Sequence, residues 1–311
     1  MSSVLVHLAS VHWTALAVAI ALQIAKLLVR SRAWHNLLRA AFPGARLSWP
    51  ATAGAVFVSA GVNSAAPARL GDVVKVAVVR RGLAGRCCLP TIGATMVAEA
   101  ALDAALAVLL VAGVVLSGQL VTPGEAGGAL ARLAHRVAAS PTLVLGAAAA
   151  ALVAALVVRI AARGRLEPTR RCLEGIRRGL SALNDPRRYA RDVASWQLLS
   201  WLLRVGCVLF ALRAFGIEAT PMVALLVVAA QILSGVVPVA GGAGVQQALV
   251  VVALQGHAGV AEAVAFSLGL QATVALTNGV LATGVAAVAV QRIGFGGVRL
   301  LAARRPLPDA L

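Results

Sequence analysis

The chain of 311 residues is 60% hydrophobic and only 13% charged, and it carries a formal net charge of +17. Several apolar stretches approach the ~20 residues that span a bilayer as a helix, and none alternates apolar and polar residues over the ~10 positions of an outer-membrane strand. A soluble globular enzyme and a β-barrel are both excluded, which leaves an all-α polytopic membrane protein. The charge does not point to nucleic acid, because 26 of the 28 basic residues are arginine in an Ala-rich background, and positive-inside topology with anionic lipid accounts for the surplus.

The first predicted span covers residues 11–29. Its apolar run to Ile24 is followed by Lys26 and Arg30 rather than by a small-residue cleavage site, so it reads as a retained helix and not as a signal peptide. Next, Trp34, Leu37, Leu38, Ala41 and Phe42 recur at helical spacing among basic residues, the pattern of an interfacial amphipathic helix resting on anionic lipid. The stretch 51–66 is apolar but breaks at Asn63, Pro67, Arg69, Gly71 and Asp72, then returns through Val73 to Val79. Residues 92–116 form a long span containing Glu99 and Asp103, and 141–158 form another. An Arg-rich interval follows, in which Leu173, Ile176, Leu180 and Leu183 repeat the amphipathic spacing. The span 195–212 contains Arg204. The stretch 221–237 breaks at Pro238, Gly241, Gly242 and Gly244 before a short apolar piece at 248–254, and a last span covers 263–290.

Cys87, Cys88, Cys172 and Cys207 form no CxxC pair and no ligand spacing with the five histidines, so no metal and no cofactor is expected.

The basic residues set the topology. Twenty-four of the 28 fall in residues 26–46, 69–86, 159–191 and 292–305, all four of which are placed in the cytoplasm. The first two clusters then forbid a full crossing by 51–66, and a re-entrant hairpin resolves the conflict. It enters from the cytoplasm, turns at 63–71 and returns through 73–79. Counting crossings leaves Glu218 and Glu262 outside, which makes 221–254 a second hairpin entering from the opposite face. The expected architecture is about five full transmembrane helices plus two opposed re-entrant hairpins in an inverted repeat. It is a single transmembrane domain, with repeats over 1–117 and 193–290, a connecting span and loop over 141–192, and a tail over 291–311. The N-terminus is outside, the C-terminus is cytoplasmic, and the membrane is the inner one. The alternative has two ordinary spans in place of each hairpin, with Gly and Pro serving close packing.

Unwound backbone at membrane depth is tolerated only where protein or a cavity satisfies it, and paired breaks point to a transporter's binding site. Arg69 and Lys75 flank the first break with Asn63 and Asp72, while Gly241, Gly242 and Gly244 free backbone groups at the second, a setting suited to a phosphate. Glu99 and Asp103, four apart, share one helix face. Carboxylates at that depth face a cavity or a partner. A functional reading makes them a proton-coupling or headgroup-amine site with one held protonated by its like-charged neighbour. A structural reading pairs one of them with Arg204.

At these positions the chain resembles the membrane domain of lysylphosphatidylglycerol synthases and the stand-alone flippase-like proteins related to it. The resemblance rests on three motifs in order. An Asn-rich turn followed by Pro-Gly-Arg-x-Gly-Asp/Glu-x-x-Arg is matched by Asn63, Pro67, Arg69, Gly71, Asp72 and Lys75, with Ala68 in place of glycine and Lys75 in place of arginine. A Glu-Arg-x-x-Asp pattern is matched by Glu99 and Asp103, with Ala100 in place of arginine. A Pro-x-Pro-Gly-Gly-x-Gly-x-Arg-Glu motif is matched by Pro238, Gly241, Gly242 and Gly244, with Gln246 and Gln247 where Arg and Glu are usual.

The resemblance implies movement of a phospholipid between leaflets. The partner would be a membrane lipid, whether an anionic or aminoacylated phospholipid, a glycolipid or a hopanoid, with a lipid-modifying enzyme as a further partner. The longest polar interval, about 159–192, is too short for a soluble aminoacyl-transfer domain, so a stand-alone transporter is expected. A membrane-embedded transferase using Glu99 or Asp103 as base, and a non-catalytic partner of a lipid-modifying enzyme, are the competing readings.

Overall fold

A computed structural model describes residues 11–45, 47–65, 70–82, 89–117, 174–234 and 244–302. Every regular element among them is helical: α1 (Trp13–Ala41), α2 (Trp49–Ala65), α3 (Leu70–Gly82), α4 (Leu89–Leu116), α5 (Pro186–Ala214), α6 (Pro221–Ser234), α7 (Val245–Ala253) and α8 (Val260–Ala302). The sequence-predicted span at 141–158 lies outside the described residues.

Local chemistry sets the helix ends. Neither Gly nor Pro occurs in α1, which runs until Pro43 and Gly44, the latter at φ +90°. Proline has no N–H to leave unpaired at a first turn, and it opens α5 and α6 and is the second residue of α2 and α4. Asp185 caps α5 by accepting from the Arg188 N–H at 3.1 Å, and Thr220 Oγ1 accepts from the Val223 N–H at 3.2 Å. Within α5 a π turn at Ala190–Ala194 inserts an extra residue, and Asn36 Nδ2 donates to the Asp192 carbonyl there at 2.6 Å.

Four of the helices, α1, α4, α5 and α8, are long and apolar enough to cross a membrane. Their outer faces are apolar: Val97, Val108, Leu109, Leu202, Leu276 and Val280 are each about two-thirds exposed, a surface suited to lipid rather than water. The chain is an all-α polytopic membrane protein. The other helices are shorter. At 1.5 Å per residue, α2 is ~26 Å long, α3 ~20 Å, α6 ~21 Å and α7 ~14 Å, all below the ~30 Å hydrocarbon thickness.

Helices α1 and α5 pair antiparallel along their length. The His12 N–H reaches the Ala214 carbonyl at 2.8 Å, Leu22 packs on Gly206, and Asn36 meets Asp192. Helices α2 and α8 are likewise antiparallel: Gly54 faces Val285, while Gly61 faces Ala282 and Asn278. Small residues permit this approach. Gly71 at the start of α3 lies against the Ser59 carbonyl, and its N–H donates to Asn63 Oδ1 at 2.8 Å, tying α2 to α3.

Two apolar cores result. One joins α1, α4, α5, α6, α7 and α8 around Leu212, Val227, Val250 and Phe266. The other gathers Trp34, Leu37 and Leu38 of α1 with Val56, Val79, Ile92 and Val193.

That second core corrects one expectation. The segment around Trp34 does not lie on a lipid surface as a separate amphipathic helix. It continues α1, and Trp34, Leu37 and Leu38 are 0% exposed. Their apolar stripe is covered by four other helices of the same chain, which also bury its hydrogen-bonding groups in matched pairs. His35 Nδ1 and Thr52 Oγ1 are 3.1 Å apart, and Trp49 Nε1 donates to Ser31 Oγ at 3.0 Å. In the Arg-rich interval, Leu180 packs on the same core while Leu183 is exposed; Leu173 lies outside the described residues. Gly175 and Gly179 bring that segment onto α4, against Thr91 and Ala94.

Candidate functional site

Four charged side chains meet where α1, α3, α4 and α5 converge. Glu99 and Asp103 stand one turn apart on α4, and Arg30 of α1 spans both: its Nε donates to Glu99 Oε1 at 2.9 Å and its Nη2 to Asp103 Oδ2. Lys75 of α3 closes the other side of Glu99, with Nζ 2.8 Å from Oε2 and 3.9 Å from the centre of the Trp34 ring. Helix α5 completes the ring. Trp201 Nε1 donates to Asp103 Oδ1 at 3.1 Å, and Gln197 Nε2 lies 3.3 Å from the same oxygen and 2.9 Å from the Glu99 carbonyl. Side-chain exposure rises across the cluster, from 4% at Glu99 and 7% at Lys75 to 21% at Asp103 and 41% at Arg30. Glu99 is thus enclosed, whereas Arg30 and Asp103 open to the surroundings.

Each carboxylate faces a cation: Glu99 accepts from both Arg30 and Lys75, and Asp103 accepts from Arg30 and also from Trp201 and Gln197. Arg204, expected as the carboxylates' structural partner, instead donates from Nη2 to Gln231 Oε1 at 3.2 Å and lies over the Trp201 ring, 5.3 Å from its centre. Arg30, read from the sequence only as a topology determinant, takes that place.

The structure brings Lys75, Glu99 and Asp103 of the candidate set together. Asn63 lies near the C-terminal end of α2, bonded to Gly71, and Asp72 occupies the first turn of α3 one helical turn before Lys75. Gly244 begins α7 at φ +100°, its N–H 2.8 Å from Gln247 Oε1, while Gln247 Nε2 reaches Gln271 of α8 at 2.7 Å. Arg69, Gly241 and Gly242 lie outside the described residues.

Sequence reasoning missed Arg30, Gln197 and Trp201. The available signal was the spacing of Lys26, Arg30 and Trp34, each four apart on one face of an otherwise apolar helix.

Two further features meet at Gln23 of α1. Gln23 Nε2 donates to Asn278 Oδ1 at 3.0 Å, and Asn278 Nδ2 to Ser64 Oγ at 2.9 Å, an amide chain linking α1, α8 and the end of α2. On the other side of Gln23 an apolar recess opens between α1, α5 and α8, lined by Leu16, Ile20, Cys207, Phe215 and Leu270.

No curated protein and no solved structure matches the chain. The family model of the lysylphosphatidylglycerol synthase TM region matches residues 1–301. With its membrane helices and intramembrane ion cluster, the chain belongs to the lysylphosphatidylglycerol synthase transmembrane region family.

Proposed function

We propose that the protein moves a phospholipid or lipid-linked headgroup between the leaflets of the bacterial inner membrane. The observation that carries this reading is the ion cluster of Arg30, Lys75, Glu99 and Asp103 inside an apolar helix bundle. Charges held at membrane depth are costly and mark substrate pathways, and one of these four, the Arg30 guanidinium, is partly exposed. The short helix pairs α2–α3 and α6–α7, each joined through one of the two sequence breaks, support the hairpin architecture. In this reading the N-terminus is outside, the C-terminus is cytoplasmic, and the hairpin tips at Asn63, Arg69 and Asp72 and at Gly241, Gly242 and Gly244 border the path with Lys75, Glu99 and Asp103.

The transferase alternative requires a carboxylate free to take a proton, and both carboxylates here are engaged by Arg30. Purified protein in vesicles carrying a trace of fluorescent phosphatidylglycerol tests the proposal. Protein-dependent exposure of inner-leaflet label to a membrane-impermeant reductant is expected. Asp103→Asn, which keeps an acceptor for Trp201 but loses the charge facing Arg30, is expected to insert normally and slow that exposure at least tenfold, a loss of the size that a charge-assisted hydrogen bond supplies. A wild-type rate equal to that of protein-free vesicles refutes the proposal.

A further inference from the structure

The spanning helices hold more positive charge than the cluster can match. Arg30 and Lys75 account for Glu99 and Asp103. Lys26, one turn before Arg30 on the same face of α1, has no carboxylate or hydrogen-bond partner among the described residues, and Arg204 has only the Gln231 amide and the Trp201 ring. The antiparallel register of α1 and α5 sets Lys26 within about one turn of Arg204, a separation at which like charges repel. The remaining described carboxylates stand elsewhere: Asp72 is in the first turn of α3, Glu174 is on the segment packed against Thr91, Asp185 accepts from the Arg188 N–H, Asp192 pairs with Arg188 and Arg191, Glu218 faces His257, and Glu262 accepts from the Gly259 N–H. Two half-buried cations that repel one another inside a bilayer are costly unless an anion joins them. Helices α1 and α5 also carry exposed apolar side chains, among them Val18, Leu198 and Leu202, so an anion that reaches the two cations is expected from the lipid around the bundle rather than from water.

We propose that Lys26 and Arg204 form an anion subsite that takes the phosphate of a net-negative lipid headgroup between α1 and α5, with the apolar part of the lipid left in the surrounding bilayer. The proposal rests on the translocation reading and names the headgroup class that it handles. A zwitterionic headgroup would add a cation beside two others, so phosphatidylglycerol is expected to bind in preference to phosphatidylcholine.

The test uses the full chain in neutral detergent, titrated separately with dioleoylphosphatidylglycerol, dioleoylphosphatidylcholine and inorganic phosphate. Fluorescence of Trp201 beneath Arg204 and thermal melting are the readouts. Phosphatidylglycerol is expected to bind at least about tenfold more tightly than phosphatidylcholine, and Lys26→Gln and Arg204→Gln are each expected to weaken it by about tenfold, the loss of one charge-assisted contact. Lys26→Arg is expected to retain binding. Without lipid, both glutamine variants are expected to melt at or above the wild-type temperature, because a repulsion has been removed; a merely structural cation would lower it. Unchanged phosphatidylglycerol binding in both variants overturns the subsite, and binding of inorganic phosphate without phosphatidylglycerol overturns its assignment to lipid. The translocation assay separates this from the parent reading. Wild type that binds the lipid at Lys26 and Arg204 but moves none refutes translocation alone, whereas translocation with binding unaffected in both variants refutes the subsite alone.

Discussion

Glu99 shows why a buried ion pair is better judged by what its removal strands than by what its presence adds. Replacing one member of such a pair leaves uncompensated charge and costs ~3–5 kcal/mol. Glu99→Gln strands Lys75 in an enclosed space and leaves Arg30 with Asp103 alone, so its unfolding free energy in detergent is expected to fall by about that amount. Asp103→Asn keeps an acceptor for Trp201 and sits in the more open half, and its loss is expected to be ~1–2 kcal/mol. Adding Lys75→Met to Glu99→Gln is expected to recover part of the loss, because the stranded cation goes with it. Equal melting of Glu99→Gln and wild type would mean that the pairs contribute nothing. The i, i+4 spacing made the shared face of the two carboxylates legible in the sequence. Their partner was not legible, because an arginine at the end of an apolar run reads as a topology signal, and only the approach of α1 to α4 makes it a counter-ion.

Among the helices, the close crossings rest on glycine. A Cβ at Gly61 would lie 2.4 Å from Ala282 Cβ, and one at Gly179 would lie 2.5 Å from the Thr91 carbonyl. Alanine at either position forces two backbones apart, at ~1–3 kcal/mol. Gly113, with nothing within 4 Å of its would-be Cβ, is the matched control: Gly113→Ala is expected to be neutral or slightly stabilising through helix propensity. Denaturation of the three variants in one detergent checks the ranking, and an equal effect at all three positions would refute the packing account. Element boundaries were partly legible for the same physical reasons. Pro43 and Gly44 mark the end of α1 in the sequence, yet treating Lys26 and Arg30 as the membrane edge cut the span at residue 29. The helix continues to Ala41 because its apolar stripe finds protein rather than lipid to cover it.

For the whole molecule, composition alone was enough for the polytopic all-α class, since no folded soluble core needs so many apolar residues in runs of this length. The arrangement of the short helices depends on which residues face which side of the bilayer, and the charge clusters supply that only as an expectation. Single cysteines at positions 50 and 80, introduced after Cys87, Cys88, Cys172 and Cys207 are replaced, give the direct reading. With α2 and α3 as a re-entrant hairpin, Pro50→Cys and Arg80→Cys are both expected to react with an impermeant thiol reagent from the cytoplasmic face. Labelling from opposite faces would make α2–α3 a full crossing and remove the inverted repeat.

The unmatched cations Lys26 and Arg204 also have an electrical meaning. A bundle holding two surplus positive charges within the membrane field does electrical work whenever those charges shift along the normal, at ~2.3 kcal/mol per charge for each 100 mV fully crossed. A displacement through a tenth of the field therefore amounts to ~0.5 kcal/mol, or about a twofold change in rate at 100 mV. A dianionic headgroup bound there would cancel the charge and a monoanionic one would halve it. The empty return step then senses voltage more strongly than the loaded one. Translocation measured under an imposed potassium diffusion potential is expected to depend on voltage when return is rate-limiting, and to lose most of that dependence in the Lys26→Gln, Arg204→Gln double variant.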